Sequence, residues 1–297
     1  GSTMKPFLYY AALENGFTAS STFLSEPTTF SLGNNQTYTP NNFGNIYPSY
    51  PIPLTLALAY SDNIYAVKTH LFLGEDAIVN VANKAGIKTK LNKNVSLPLG
   101  TTELNMIEFT NAYSTIANEG IYNKLYLIRK VENENGSTIY KHKDNSNKVL
   151  NKNYTYILSE LLNGCYDDTL ADYTTPTCLS IKPKLTKKYA IKTGSTNTDS
   201  WIMGYNKDYT LGVWIGYDNN KNIARNELKF SKNIWADTME NYLRDKKDNW
   251  YTKPNDVIPV LINPLNGKIA TSTSKRKKIV YYLKGTQPTL YDGENTK

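Results

Sequence analysis

The chain has 297 residues, 40% of them hydrophobic and 20% charged, with a formal net charge of +8. That balance excludes a disordered chain, and no stretch nears the ~20 apolar residues that span a bilayer. The one tight basic cluster, KRKK at 275–278, has no interleaved aromatics on which bases would stack, which excludes a nucleic-acid binder.

TMKPFLYYAALE at 3–14 reads as a helix with Phe7, Leu8, Ala11 and Ala12 on one face. Pro6 is tolerated only in a first turn, so that helix is expected to begin near Ser2. Residues 25–52, rich in Pro, Asn, Gly, Thr and Tyr, read as a long loop. Two helical pieces follow within 53–74, broken at Ser61-Asp62-Asn63, and helical patterns continue over 75–86 and 103–120. LYLIRKV, a polar ENENG and STIYKHK suggest a hairpin over 125–143, and 153–166 returns to helix. Strands are expected at 188–196, 200–205 and 210–218, a helix at 233–245, and tail strands at VIPVLI and KIVYYL. Helices followed by a meander of strands give an α+β fold.

Three short motifs carry chemistry. Ser2 and Lys5 share a face one turn apart, where an amine whose proton affinity is lowered by burial would activate the hydroxyl. The same spacing recurs at Ser272–Lys275 and Ser274–Lys277, where solvated surface is expected, and Gly1-Ser2 alone also fits an expression remnant. Ser61 and Asn63 place a hydroxyl and a carboxamide in a break between helices, although a capping turn has the same residues and Ser195-Thr196-Asn197 repeats the spacing. Lys192-Thr193-Gly194 occurs once, on a strand. A glycine there implies that something approaches the backbone closely, and a ligand is the expected occupant; a bulge on an edge strand is the alternative. Cys165 and Cys178 either pair, which would stabilise by roughly 3 kcal/mol in a chain-entropy account, or remain thiols. Two isolated histidines and two cysteines are too few for a structural zinc site, and no metal or cofactor is expected.

Ser-x-x-Lys, Ser-x-Asn and Lys-Thr-Gly in this order are the signature shared by class A β-lactamases and penicillin-binding proteins. The chain resembles the transpeptidase domain of class A, bifunctional penicillin-binding proteins over nearly its whole length. GSTMKPFLYYAALE is similar to the nucleophile helix of that family, YTPNNFG and LTLALAYSDNIYAV to the segment leading into the Ser-x-Asn turn, and LPLGTTELNMIEFTNAYSTIANEGIY to its long internal helix region. KTGSTNTDSWIMGYNKDYTLGVWIGYD is similar to its Lys-Thr-Gly hairpin and YYLKGTQPT to the closing segment. Ser195 stands where the family usually has threonine, which keeps the hydroxyl.

The resemblance implies a penicillin-binding fold of the α+β class, a helical lobe on a mainly antiparallel sheet. It makes GSTMKP native sequence, with a helix and the first strands of the family's sheet lying upstream. Without them an open sheet edge and uncovered apolar surface are expected. A domain over 1–250 and a C-terminal extension over 251–297 follow. The implied activity is D,D-transpeptidation of peptidoglycan stem peptides, with β-lactams as inhibitors. Ser2 would be nucleophile, Lys5 general base, Ser61 proton relay and Asn63 a ligand for the peptide amide. Lys192, Thr193 and Ser195 would hold the terminal carboxylate, with Gly194 beside them and the amides of Ser2 and Ser195 forming the oxyanion hole. The alternatives are a D,D-carboxypeptidase or serine β-lactamase, which hand the acyl group to water, and a non-catalytic penicillin-binding sensor. The expected location is the extracytoplasmic face of the bacterial membrane, with membrane contact only through an N-terminal anchor outside this sequence.

Overall fold

The computed structural model describes residues 1–294. Its centre is helix α1 (Lys5–Glu14), in which every residue from Lys5 to Leu13 is buried. The single face expected from Phe7, Leu8, Ala11 and Ala12 understates this, because Tyr9 and Tyr10 on the other sides are buried as completely. A helix apolar all round belongs in a core, and α1 is enclosed by α3 (Asn63–Leu73), α4 (Glu75–Ala85) and α6 (Lys152–Leu162). The helix begins one turn later than expected: Ser2–Met4 form a 3-10 turn, with Pro6 in the first turn of the α-helix proper.

The segment 25–52 is not the featureless loop its composition suggests. Strand β1 (Thr22–Leu24) pairs with β4 (Pro51–Pro53) across it, and β2 (Phe30–Ser31) pairs with β3 (Thr37–Tyr38) within it. The turn between β2 and β3 uses Gly33, Asn34 and Asn35, all with positive φ, and glycine and asparagine reach that region most cheaply. Next come α2 (Leu54–Tyr60), α3 and α4, then α5 (Met106–Ala117). The last starts at 106 rather than 103 because the Asn105 side chain accepts from the amides of Ile107 and Glu108, capping the helix there.

The expected hairpin over 125–143 is present as β6 (Lys130–Glu132) and β7 (Thr138–Lys141), exposed along both strands. It stands on a pair absent from the sequence reading, β5 (Ile121–Asn123) with β8 (Ser146–Lys148). The main sheet has the order β11-β10-β9, antiparallel, from β9 (Ala190–Ser195), β10 (Asp199–Tyr205) and β11 (Thr210–Gly216). α5 and α6 cover one face and α7 (Leu228–Leu243), which begins five residues before the expected 233, covers the other. Met203 and Tyr205 of β10 join the core around α1, while Ile202 joins Trp235 of α7. Neither outer edge, of β11 or of β9, has a strand partner among the described residues. Strands β12 (Val257–Ile262) and β13 (Lys278–Leu283) form a hairpin that packs on α6, and its Val257, Ile262, Val280 and Tyr282 belong to the same core as α1. No described helix is long and apolar enough to cross a membrane.

Candidate active site

Strand periodicity places the site. Lys192 and Gly194 are two apart on β9, so both face the helical lobe, as do their partners Met203 and Trp201 on β10. Thr193 and Ser195 alternate to the other side. The N-terminal turn of α1 lies against this edge of the sheet. A Cβ at Gly194 would sit 2.9 Å from the backbone nitrogens of both Ser2 and Thr3, and a Cβ at Gly1 would lie 3.0 Å from the nitrogen of Ser195. The close approach that requires a glycine is made by this chain's own turn, and Gly194 also lines the cleft in which a ligand would lie. The approach brings the amides of Ser2 and Ser195 into one neighbourhood.

The break between α2 and α3 supplies the other side. Ser61 caps α2 in the left-handed region, with φ 61° and ψ 39°, a conformation that costs a non-glycine residue about 1–3 kcal/mol. Lys5 Nζ donates to the Ser61 carbonyl at 2.6 Å, to Asn63 Oδ1 at 2.7 Å and to Ser61 Oγ at 3.2 Å. Lys192 Nζ reaches the same hydroxyl at 2.9 Å and the Thr193 carbonyl at 2.7 Å. Two lysines from distant parts of the chain thus converge on Ser61 Oγ. No hydrogen bond joins the Ser2 hydroxyl to Lys5 among the described residues; in ligand-free sites such contacts often tighten only with substrate.

The turn is held by residues that sequence reading did not single out. Asp62 is buried and accepts from Ser25 Oγ at 2.6 Å, Asn42 Nδ2 at 2.7 Å and the Tyr65 amide at 2.7 Å, capping α3. Asn42 Oδ1 accepts from the Asn63 amide at 2.7 Å, and Asn63 Nδ2 donates to the Asn41 carbonyl at 2.7 Å. One N–H and one lone pair of the Asn63 carboxamide are left for a ligand. Asp62 was in view only as the middle letter of Ser-x-Asn. Ser25 lies in a stretch without periodicity, and Asn41 and Asn42 stand in the YTPNNFG segment, whose resemblance marks the place without giving either residue a role.

Both lysines are almost wholly out of water, Lys5 at 0% and Lys192 at 1% exposure. Burial lowers the Lys5 ammonium to about 7, against the pull of the Asp62 carboxylate. Lys192 is held well below the usual lysine range by burial and then by the charge of Lys5. An ammonium without solvent or counter-ion gives up its proton readily, so the Lys5–Ser61–Lys192 chain can accept and pass protons near neutral pH.

A cleft of about 600 Å³ opens on this constellation, lined by Ser2, Ser61, Asn63, Thr193, Gly194 and Ser195 on one side. Lys192 does not line it; the side chain sits behind Ser61. The adjoining wall carries Tyr173–Thr177 and the start of α7, including Ser231 and Lys232. Cys165 and Cys178 are joined by a disulfide, Cα to Cα 5.0 Å, which closes the loop that bears this wall. Thr193 Oγ1 donates to Thr177 Oγ1 at 2.9 Å, so the loop next to the disulfide orients a hydroxyl of the Lys-Thr-Gly strand.

Comparison with known proteins agrees with this geometry. The family model described as the penicillin binding protein transpeptidase domain matches residues 1–240. Penicillin-binding protein 2D of Bacillus subtilis (strain 168) is 39% identical over 97% of this chain and 42% of its own length. Penicillin-binding protein 1A of Pseudomonas aeruginosa is 27% identical over 91% of this chain and 39% of its own length. The chain spans less than half the length of either relative. Among solved structures, Penicillin-Binding Protein 1A from Haemophilus influenzae superposes with a TM-score of 0.89 at 23% identity, over 98% of this chain and 48% of that one. PonA1 from Mycobacterium tuberculosis, in complex with penicillin V, superposes with a TM-score of 0.70 at 22% identity, over 86% of this chain and 72% of that one. At these identities the two structures speak to the fold alone.

Proposed function

The chain belongs to the penicillin-binding protein transpeptidase domain family, and from that premise we propose that it is a D,D-transpeptidase that cross-links peptidoglycan stem peptides through an acyl-enzyme on Ser2. The observation that carries this reading is the Lys5–Ser61–Lys192 chain, two buried amines on one hydroxyl at the floor of a cleft lined by Ser2. Ser2 Oγ attacks the carbonyl carbon of the penultimate D-alanine while neutral Lys5 takes its proton. The C–N bond then breaks, and the proton passes through Ser61 Oγ to the leaving nitrogen of the terminal D-alanine. The amides of Ser2 and Ser195 receive the developing oxyanion, worth about 3 kcal/mol per donor in such sites.

Asn63 offers its remaining N–H and lone pair to the peptide backbone, and Thr193 and Ser195 offer hydroxyls to the terminal carboxylate. Lys192 acts from behind, through its hydrogen bond to Ser61 Oγ. An amine of a second stem peptide then attacks the ester and restores the Ser2 hydroxyl. β-Lactams acylate the same oxygen. The catalytic unit of this reading spans 1–250, with 251–297 as a C-terminal extension whose described residues, to 294, pack on it. Its substrate places it on the extracytoplasmic face of the membrane, and the Cys165–Cys178 disulfide suits an oxidising compartment.

Incubation with a fluorescent penicillin, followed by peptide mass mapping, tests the reading. A long-lived adduct on the Ser2 peptide, absent from Ser2→Ala, is expected. An adduct elsewhere, or none, overturns it, and loss of the label within seconds would move the assignment to a hydrolase.

A further inference from the structure

We propose that Lys232 is a specificity-determining cation of the cleft, which pairs with a carboxylate of the acyl donor beside Thr177. The inference rests on the transpeptidase reading of the same site and deepens it. Leu228, Ser231 and Lys232 fall on one face of α7, and all three line the cleft. Trp235, one turn on from Lys232 on that face, is fully buried under the sheet. A lysine thus occupies a position on the inward side of a helix, where the pattern favours an apolar residue.

Lys232 is the one lysine or arginine among the described residues that line the cleft. Lys192, which the motif marks as the carboxylate ligand, lies behind Ser61 with Nζ committed to Ser61 and Thr193. The listener for negative charge at the surface of the cleft is therefore Lys232. Its hydrogen bond among the described residues is a long one to the Thr177 carbonyl, 3.3 Å. It forms no ion pair within 4.0 Å among the described residues. The carboxylate that does line the cleft, Asp62, is taken up by Ser25, Asn42 and the Tyr65 amide.

Lys232 is half-buried, and that burial lowers its proton affinity. A partly desolvated ammonium without a counter-ion is unfavourable, and an entering carboxylate relieves it. The hydroxyls of Thr177 and Ser195 in the same cleft supply the further donors a carboxylate accepts, with Thr193 Oγ1 donating to Thr177 Oγ1.

Two carboxylates of a stem peptide fit this chemistry, the C-terminal one and one carried farther along the peptide. Calorimetric titration in a Ser2→Ala background separates them without relying on acylation. The probes are N-acetyl-D-alanyl-D-alanine as free acid and as C-terminal amide, and a C-terminally amidated stem pentapeptide with its interior carboxylates free or amidated. With Lys232 present, one free-acid probe is expected to bind about 10-fold tighter than its amide, the lower range for a hydrogen bond to a charged group. Lys232→Gln should reduce that ratio to near one, Lys232→Arg should keep it, and Lys232→Glu should reverse it. A ratio that survives Lys232→Gln or fails with Lys232→Arg and Lys232→Glu alike overturns the proposal while leaving the transpeptidase reading intact. No saturable binding of any peptide overturns both.

Discussion

Ser-x-x-Lys occurs at the start of α1 and twice in the tail, and the two regions treat the same letters differently. At Ser2–Lys5 the lysine is fully buried and its amine is aimed at a strained turn brought from the α2–α3 break. At 272–277 the chain is a turn, and Lys275 and Lys277 are exposed. Among the described residues Lys277 Nζ reaches only the Ser272 carbonyl, at 3.2 Å. Ser274 departs from the solvated surface expected there: it is buried, donates to Asp292 at 2.7 Å and accepts from the Thr271 amide at 2.9 Å. Spacing alone puts a hydroxyl near an amine. Burial, which only the tertiary structure supplies, turns that amine into a base at neutral pH.

The comparison breaks most sharply on the lysines. Lys5→Ala should lower the second-order rate of penicillin acylation about 10³-fold, within the usual range for loss of a general base. Lys275→Ala should leave the rate within about twofold. Stopped-flow measurement with a fluorescent β-lactam decides it, and comparable rates for the two variants would remove the distinction between the regions. The disulfide is the next largest effect. Reduction of Cys165–Cys178 should lower unfolding stability by about 3 kcal/mol, read as a fall in the urea midpoint with and without reductant. The tail turn has no such tie, and an unchanged midpoint would mean that the loop bearing Thr177 is held by its other contacts. Gly194→Ala sharpens the comparison at the scale of one methyl group. The new Cβ meets the backbone nitrogens of Ser2 and Thr3 at 2.9 Å, so the turn must shift, at a cost of about 1–3 kcal/mol. Acylation should slow while the melting temperature falls modestly, and a variant with wild-type acylation would show that the turn tolerates displacement.

Much of this was legible in the sequence because it is local or periodic. The helices of the lobe, the three strands of the sheet and the tail hairpin follow from apolar spacing and turn residues. The residues that meet at the cleft follow from three motifs in a known order. What was not legible depends on contacts across the chain. Asn42 positions Asn63, Ser25 and Asn42 hold Asp62, and Thr177 orients Thr193. Each is a polar residue whose role is set by its partner and not by its neighbours in sequence. The β5–β8 pair is hidden for the same reason: three-residue strands with an arm inserted between them leave no alternation to read. Gly194 shows the subtler case, in which the strand pattern marks the position and only the tertiary structure reveals that the N-terminal turn packs against it.

The smallest expected effect tests the lysine chemistry itself. Lys5 is lowered to about 7 by burial, from an unfolded value near 10.4, so the unfolded chain binds more protons between these two values. Stability contributed by this site should accordingly rise with pH across that window and be least below 7, the same sense as an acid whose proton affinity a salt bridge lowers, at a higher pH. Acylation should follow the neutral amine: constant above the inflection near 7 and falling about tenfold per pH unit well below it. The inflection belongs to the Lys5–Ser61–Lys192 unit, since the two amines share a hydroxyl and Lys192 senses the charge of Lys5. Asp62 raises the proton affinity of Lys5, and Asp62→Asn should therefore move the inflection to lower pH even as it loosens the α3 cap. A pH profile of the acylation rate between 5 and 9 reads both. A flat profile in the wild type, or a shift to higher pH in Asp62→Asn, would mean that the proton leaves Ser2 by a route other than Lys5.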